Sequence, residues 1–183
     1  VTVGSLPVMA PYHIPEILAR FKHQNTNFAL DVIRKDDIEL IRQKTCDFIF
    51  IRETGELYAD LTMFPIDSDT LAAILPNDHP LAKASSVRLE QLKDEDFLLL
   101  PKYTQMYNLC VSECEKAGFT PKVTFTGPQA ENIISLVNEH MGVGLLTKKP
   151  LLYINAPGIA IVDITPTVRT FISLAYLKKA NLS

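Results

Sequence analysis

Phe48-Ile49-Phe50-Ile51 restricts the fold more than any other segment: four large apolar residues in a row, set between Asp47 and Arg52. A strand wetted on one face alternates apolar and polar side chains, so an unbroken run suits a strand covered on both faces, as in a parallel sheet. Parallel neighbours need crossover helices, and the flanking sequence supplies them. Residues 1–5 read as a strand. Ile14, Ile17, Leu18 and Phe21 then recur at helical spacing, with Pro11 and Pro15 near the first turn, where no amide donor is needed. Residues 28–33 read as the next strand, and Asp36 and Asp37 open a helix carrying Ile38, Leu40 and Ile41.

After Asn77-Asp78-His79-Pro80 a second strand–helix series begins. It comprises a turn, a short Ser-capped helix over 86–92 and a strand at 97–100. A helix over 105–117 is stopped by Gly118, and a strand follows at 123–126. A helix with Ile133, Leu136, Val137 and His140, a strand at 143–146 and two last strands at 159–164 and 170–177 complete the chain. The expected fold is α/β with two small lobes. The last strand is placed to return to the first sheet, giving residues 1–71 plus 164–183 as lobe I and 72–163 as lobe II. The sequence opens on a strand with no initiator Met, the pattern of a piece cut from a longer protein.

Composition excludes several classes. The net charge is -3 from 18 Lys+Arg and 21 Asp+Glu, and no basic run exceeds the pairs Lys148-Lys149 and Lys178-Lys179. A nucleic-acid binder shows a basic face or stripe, so no DNA contact is expected from this piece. No apolar run approaches the ~18 residues of a membrane helix, so a cytoplasmic location away from any membrane is expected. Cys46, Cys110 and Cys114 form no CxxC and read as buried small hydrophobes in a reducing compartment. No metal-spaced cluster, G-x-S-x-G or P-loop is present. His13, His79 and His140 fall at a helix, a turn and a helix end, where structural roles serve better than catalytic ones. The expectation is therefore a protein with no catalytic residues, no metal and no cofactor.

In open α/β sheets ligands sit beyond the carboxyl ends of the strands, where helix N-termini favour anions and polar oxygens. Five groups of residues fall at such junctions. Ser5, Leu6 and Pro7 follow the first strand, and Arg34 ends the second. Arg52 ends the third, offering a bidentate cation. Pro101-Lys102-Tyr103-Thr104-Gln105 and Thr126-Gly127-Pro128-Gln129 precede two helices of the second series. Each has a plainer role beside it: Ser5, Thr104 and Thr126 as caps or turn residues, Arg52 in a surface ion pair with Glu53 or Glu56, and Lys102 and Arg34 as solvated charges.

The motifs that these elements carry resemble one family along nearly the whole chain. Cys46-Asp47-Phe48-Ile49-Phe50 is similar to an "LDLAI"-like strand start, and Leu75-Pro76-Asn77-Asp78-His79-Pro80-Leu81-Ala82 to a "P-x-x-HPLA" turn. Ala117-Gly118-Phe119-Thr120-Pro121 and Val143-Gly144-Leu145-Leu146 are similar to "AGF-x-P" and "GIALLP" elements. Together with the opening strand, loop and helix, they resemble the effector-binding domain of LysR-type transcriptional regulators. The resemblance implies a periplasmic-binding-protein type 2 fold: two Rossmann-like lobes, two crossover strands and an effector between the lobes. It carries the effector role onto Ser5, Leu6, Arg52, Tyr103, Thr104 and the stretch Gly127–Gln129. It also implies a homodimer through this domain, a tetramer at full length and DNA contact through a winged helix-turn-helix ahead of Val1. In such a protein the effector shifts the oligomer's conformation. Two departures stand out. Thr147-Lys148 stands where many members have Pro, which would add a hydroxyl to the candidate site, and the resemblance implies that the family's closing helix is missing or was cut away. An extracytoplasmic solute receptor of a transport system is the competing function on the same fold.

Overall fold

The computed structural model describes residues 1–178; residues 179–183, which the sequence-based division counts in lobe I, lie outside them. The chain opens with β1 (Thr2–Gly4), a 3-10 turn (Ala10–Tyr12) and α1 (Ile14–Gln24), which has Pro15 in its first turn and Lys22 and His23 in its last. Next come β2 (Asp31–Ile33), the single-turn α2 (Glu39–Arg42), β3 (Phe48–Glu53) and the long β4 (Leu61–Pro76). The second series is β5 (Ser86–Val87), a 3-10 turn (Leu89–Leu92), β6 (Asp96–Leu99), α3 (Gln105–Lys116) and β7 (Lys122–Thr126). It continues with α4 (Ala130–Asn138), β8 (Val143–Thr147), α5 (Lys148–Ile154) and β9 (Ile159–Ile164), and β10 (Arg169–Leu177) follows.

These elements fall into two units, Val1–Ser68 with the segment from Thr170 on, and Asp69–Arg169. The sequence-based division at 71/72 and 163/164 is offset from these crossings. The Leu71 amide donates to Val168 O at 2.9 Å, which ties both ends of the second unit together beyond β9.

In the first unit β1 runs parallel to both β2 and β3, and β10 joins β3 antiparallel with Ser173 opposite Ile51. The apolar run of β3 divides as its period of two requires. Phe50 packs with Val3, Leu6, Tyr12, Ile14 and Ile172, whereas Ile49 and Ile51 pack with Ile41, Cys46, Leu61 and Ala175. Both faces are covered, and the run needs no polar alternation.

In the second unit the strand order is β5-β9-β4-β8-β6-β7. The pairs β5–β9, β6–β7 and β6–β8 are parallel, and β4 runs antiparallel to β8 and β9. Phe97, Leu99, Val143 and Leu145 face the α3 side with Cys110 and Cys114, while Leu98, Leu146 and Ile74 face α4. Gly144 lets α4 approach: a Cβ there would stand 3.1 Å from Ile133 and 3.2 Å from Ile74.

Several sequence expectations need correction. The strand at 28–33 shrinks to Asp31–Ile33, and the helix opened by Asp36 is only Glu39–Arg42. Ser86 lies in a strand, and the turn after it is capped by Arg88, whose amide donates to Gln91 Oε1 at 2.8 Å. Neither β4 nor α5 was anticipated. Pro65, Asp67 and Asp69 end the apolar period of two that Leu61 and Met63 begin in β4, and α5 has only seven residues with Pro150 among them.

Candidate functional site

Because β1, β2 and β3 are parallel, their carboxyl ends share one edge of the first sheet. Arg52 stands there near the end of β3, with only 8% of its surface exposed. Its Nη1 donates to Thr170 Oγ1 at 2.7 Å and its Nη2 to the Tyr12 hydroxyl at 2.6 Å, and Cζ lies 5.2 Å from the centre of the Tyr12 ring. The ion pairs considered from sequence do not form: Glu53 accepts from Ser173 Oγ, and Glu56 from the Tyr58 hydroxyl at 2.5 Å. Among the described residues this guanidinium is held by neutral hydroxyls and an aromatic face with no carboxylate in contact, which costs solvation energy unless other charge compensates it.

The remaining residues of this edge divide by role. Ser5 is fully buried; its amide donates to Ile33 O at 2.9 Å, and among the described residues its Oγ has no hydrogen-bond partner. Leu6 packs into the core under Tyr12 and Ile14. Pro7 is exposed, and its carbonyl accepts from Arg34 Nη2 at 3.0 Å, so Arg34 ties the loop after β1 to the end of β2. Gly4 must lack a side chain, since a Cβ would stand 2.9 Å from Ile49.

The carboxyl ends of β6, β7 and β8 share an edge of the second sheet in the same way. Tyr103 is 85% exposed. Thr104 is the N-cap of α3: its Oγ1 accepts from the Tyr107 amide at 3.1 Å and donates to Pro101 O at 2.7 Å, so the plainer reading holds for this hydroxyl. Gln105 is half-buried at the first position of α3. Gly127 is buried, with its amide donating to Leu99 O at 3.1 Å, and a Cβ there would stand 2.8 Å from the Phe125 ring. Pro128 and Gln129 are exposed before α4, and Thr147 is buried between β8 and α5.

Sequence reasoning missed Tyr12, Thr170, Asp36 and Asp69. Tyr12 and Thr170 reach Arg52 from 40 and 118 residues away, and no local pattern reports such a pairing. Asp36 feels Arg52 through its charge: burial pushes its carboxyl up from the usual aspartate value, and Arg52 pulls it down by less. Asp69 is buried and accepts from the Lys149 amide at 3.1 Å, closing the start of α5.

The histidines are built into local structure. His79 Nδ1 accepts from the Leu81 amide at 3.1 Å and Nε2 meets Glu95 at 3.1 Å; His140 Nε2 meets Asp78 at 2.8 Å; His13 faces Glu16 at 3.5 Å. All three cysteines are free and buried. Among the described residues no group of three His, Cys, Asp or Glu is placed to hold a metal ion, and no helix is long and apolar enough to cross a membrane.

Two α/β units crossed twice by the chain, each with parallel strands whose carboxyl ends share an edge, define a periplasmic-binding-protein type 2 fold. The sequence profile described as the LysR substrate binding domain matches residues 1–183, and the chain belongs to that family. Among curated relatives, it is 27% identical over 150 residues to the transcriptional dual regulator GltC of Bacillus subtilis, covering 80% of this chain and 50% of GltC. It is 24% identical to the HTH-type transcriptional regulator TtuA of Agrobacterium vitis, again over 80% of this chain and 50% of that protein. The chain thus spans about half the length of these relatives. Among solved structures, HinK, a LysR family regulator from Pseudomonas aeruginosa, superposes with a TM-score of 0.82 at 25% identity over 100% of this chain and 66% of HinK. The effector-binding domain of BenM, solved with its effector benzoate, gives 0.83 at 18% identity over 100% and 85% of the two chains, a likeness of fold. The relatives are regulators, so the transport-receptor reading is not favoured.

Proposed function

We propose that this chain is the effector-sensing part of a bacterial LysR-type transcriptional regulator, and that it takes up a small anion, such as a carboxylate, at Arg52. The observation that carries the reading is the buried guanidinium, whose partners are neutral hydroxyls and an aromatic face. A ligand carboxylate there gains charge-assisted hydrogen bonds at a buried cation, and the guanidinium gains a counter-charge. Ser5 Oγ offers one further hydroxyl on the same edge.

Contacts in the second unit are proposed from Tyr103, Thr104, Gln105, Gly127, Pro128, Gln129 and Thr147, and in the first from Leu6, Pro7 and Arg34 beside Ser5 and Arg52. The two units act as lobes I and II. Binding does no chemistry; it favours one conformation of a cytoplasmic homodimer, or tetramer at full length, by its differential affinity for that state. DNA contact belongs to a helix-turn-helix outside this sequence.

The test is a thermal-shift screen of the chain against small carboxylates and other anions. Ligand at ~100 times its Kd adds ~2.7 kcal/mol, which raises Tm by about 5–10 °C for a protein of this size. The rise is expected to vanish in Arg52→Met. A rise that survives the substitution moves the site away from Arg52.

A further inference from the structure

Arg52 and Tyr12 meet because of where their elements put them. The period of two along β3 sets Arg52 on the same face as Phe50, and β10 places Ile172 opposite Arg52. Tyr12 packs with both Phe50 and Ile172, in a core that also holds Val3, Leu6 and Ile14. Its backbone is set by the 3-10 turn: the Tyr12 amide donates to Met9 O at 3.1 Å, and His13 follows in the left-handed region at φ 57. The ring is thereby buried to 2% exposure, with Arg52 Cζ 5.2 Å from its centre and its hydroxyl accepting from Nη2 at 2.6 Å. A second anchor comes from β10, where the fully buried Thr170 accepts from Nη1 at 2.7 Å. Among the described residues these bonds use two of the five guanidinium N–H groups, one on each Nη. The other N–H groups, that of Nε among them, lie in the same plane, whose direction the two anchors and the ring fix.

We propose that Tyr12 is a positioning residue of the Arg52 anion site, aiming the remaining guanidinium N–H groups so that they meet a planar carboxylate. The proposal rests on the reading of Arg52 as an anion site given above. A long, flexible side chain loses rotamer freedom when it grips a ligand, and that loss is charged to binding. Here folding has already ordered the side chain, so an anion meets donors set in place. Removing the Tyr12 hydroxyl while keeping its ring leaves one end of the guanidinium free to turn, and the anion must then order it. The same change also releases one N–H, which acts in the opposite sense. For a carboxylate the loss of order outweighs the released donor, because it takes two N–H groups side by side and needs both held in direction. A spherical anion accepts from any direction and draws little from that alignment.

Guanidinium-detected 1H–15N NMR of the 183-residue chain tests this, with Arg52 assigned by the signals lost in Arg52→Met. Before any anion is added, the two Nη of Arg52 are expected as separate resonances in the wild type, because the anchors stop rotation about the bonds to Cζ. Tyr12→Phe is expected to merge them. Acetate and chloride are then titrated separately, each Kd being read from the shift of the Arg52 Nε–H. Tyr12→Phe is expected to weaken acetate binding by about two- to tenfold and chloride binding by less. Thr170→Val removes the other anchor and is expected to act in the same way, so the test stands if Tyr12→Phe fails to fold. Merged Nη signals in the wild type, separate ones that persist in the folded variant, equal losses for the two anions, or tighter acetate binding overturn the positioning role while leaving the anion site standing. No acetate-dependent shift of Arg52 in the wild type, or a rise of Tm with acetate that survives Arg52→Met, overturns the anion site and this inference with it.

Discussion

Arg52 separates stability from sensing at a single residue. Its burial costs solvation energy, which two hydroxyl partners and the Tyr12 ring offset. An apolar side chain of similar length loses those bonds and also removes the buried charge, and such exchanges are often near neutral. Arg52→Met is therefore expected to shift the urea-unfolding free energy by less than ~1.5 kcal/mol while abolishing the response to anions; a loss of several kcal/mol would make Arg52 a structural residue first. The cysteines make the opposite case. Burial pushes the Cys114 thiol up to about 12 and Cys110 higher still, and Cys46 moves the same way. At neutral pH all three stay protonated, and the thiolate is the reactive form. Pulse alkylation read by mass spectrometry is expected to label none of them quickly in the native chain and all three after denaturation. Rapid native labelling of Cys110 or Cys114 would show that the α3 core opens readily.

At the scale of elements, what the sequence made legible follows from where its signals reside. The helices α1, α3 and α4 announce themselves through periodicity, and β3, β6 and β8 through short unbroken apolar runs, because both signals lie within the segment itself. The stop at Gly118 was readable because α3 ends there with φ +92, a conformation that favours glycine. β4 was not, because a polar stretch precedes its buried one, and the buried stretch from Leu71 to Pro76 pairs with strands about 70 to 90 residues away. The candidate site divided likewise: the junction rule pointed to Ser5 and Arg52 as candidates, but the partners of Arg52 depend on tertiary structure alone. Thr104 shows how one hydroxyl fits two readings. As the α3 N-cap and a proposed anion contact, Thr104→Ala is expected to cost about 1 kcal/mol in urea unfolding and to weaken anion binding as well. Lost stability at unchanged affinity would leave the hydroxyl a cap and remove it from the ligand contacts. Gly142 is stricter, with φ +155 and a Cβ that would collide with the Asp96 carbonyl oxygen. Gly142→Ala strains the turn into β8 and is expected to lower Tm more than Thr104→Ala does.

For the whole molecule, charge decides what this chain can touch. With 21 acidic against 18 basic residues, the chain carries a net charge of -3. Several of its cations are already engaged by acids on the surface: Arg42 with Asp60 and Glu39, Lys122 with Asp96, Lys148 with Asp163. Non-specific DNA affinity comes from basic side chains replacing the counterions of phosphates, and a cation held by a carboxylate contributes little to that exchange. The relatives it matches are regulators about twice its length, so in this reading the DNA contacts reside in the other half. Fluorescence anisotropy with a labelled duplex is expected to show no binding by this chain up to ~100 µM at physiological salt, the weak end of the non-specific range, with or without an anion that raises its Tm. Binding that weakens steeply with added salt would mean that a basic surface here takes part in holding DNA. The effector would then act on a DNA-contacting face directly, rather than through the arrangement of the oligomer.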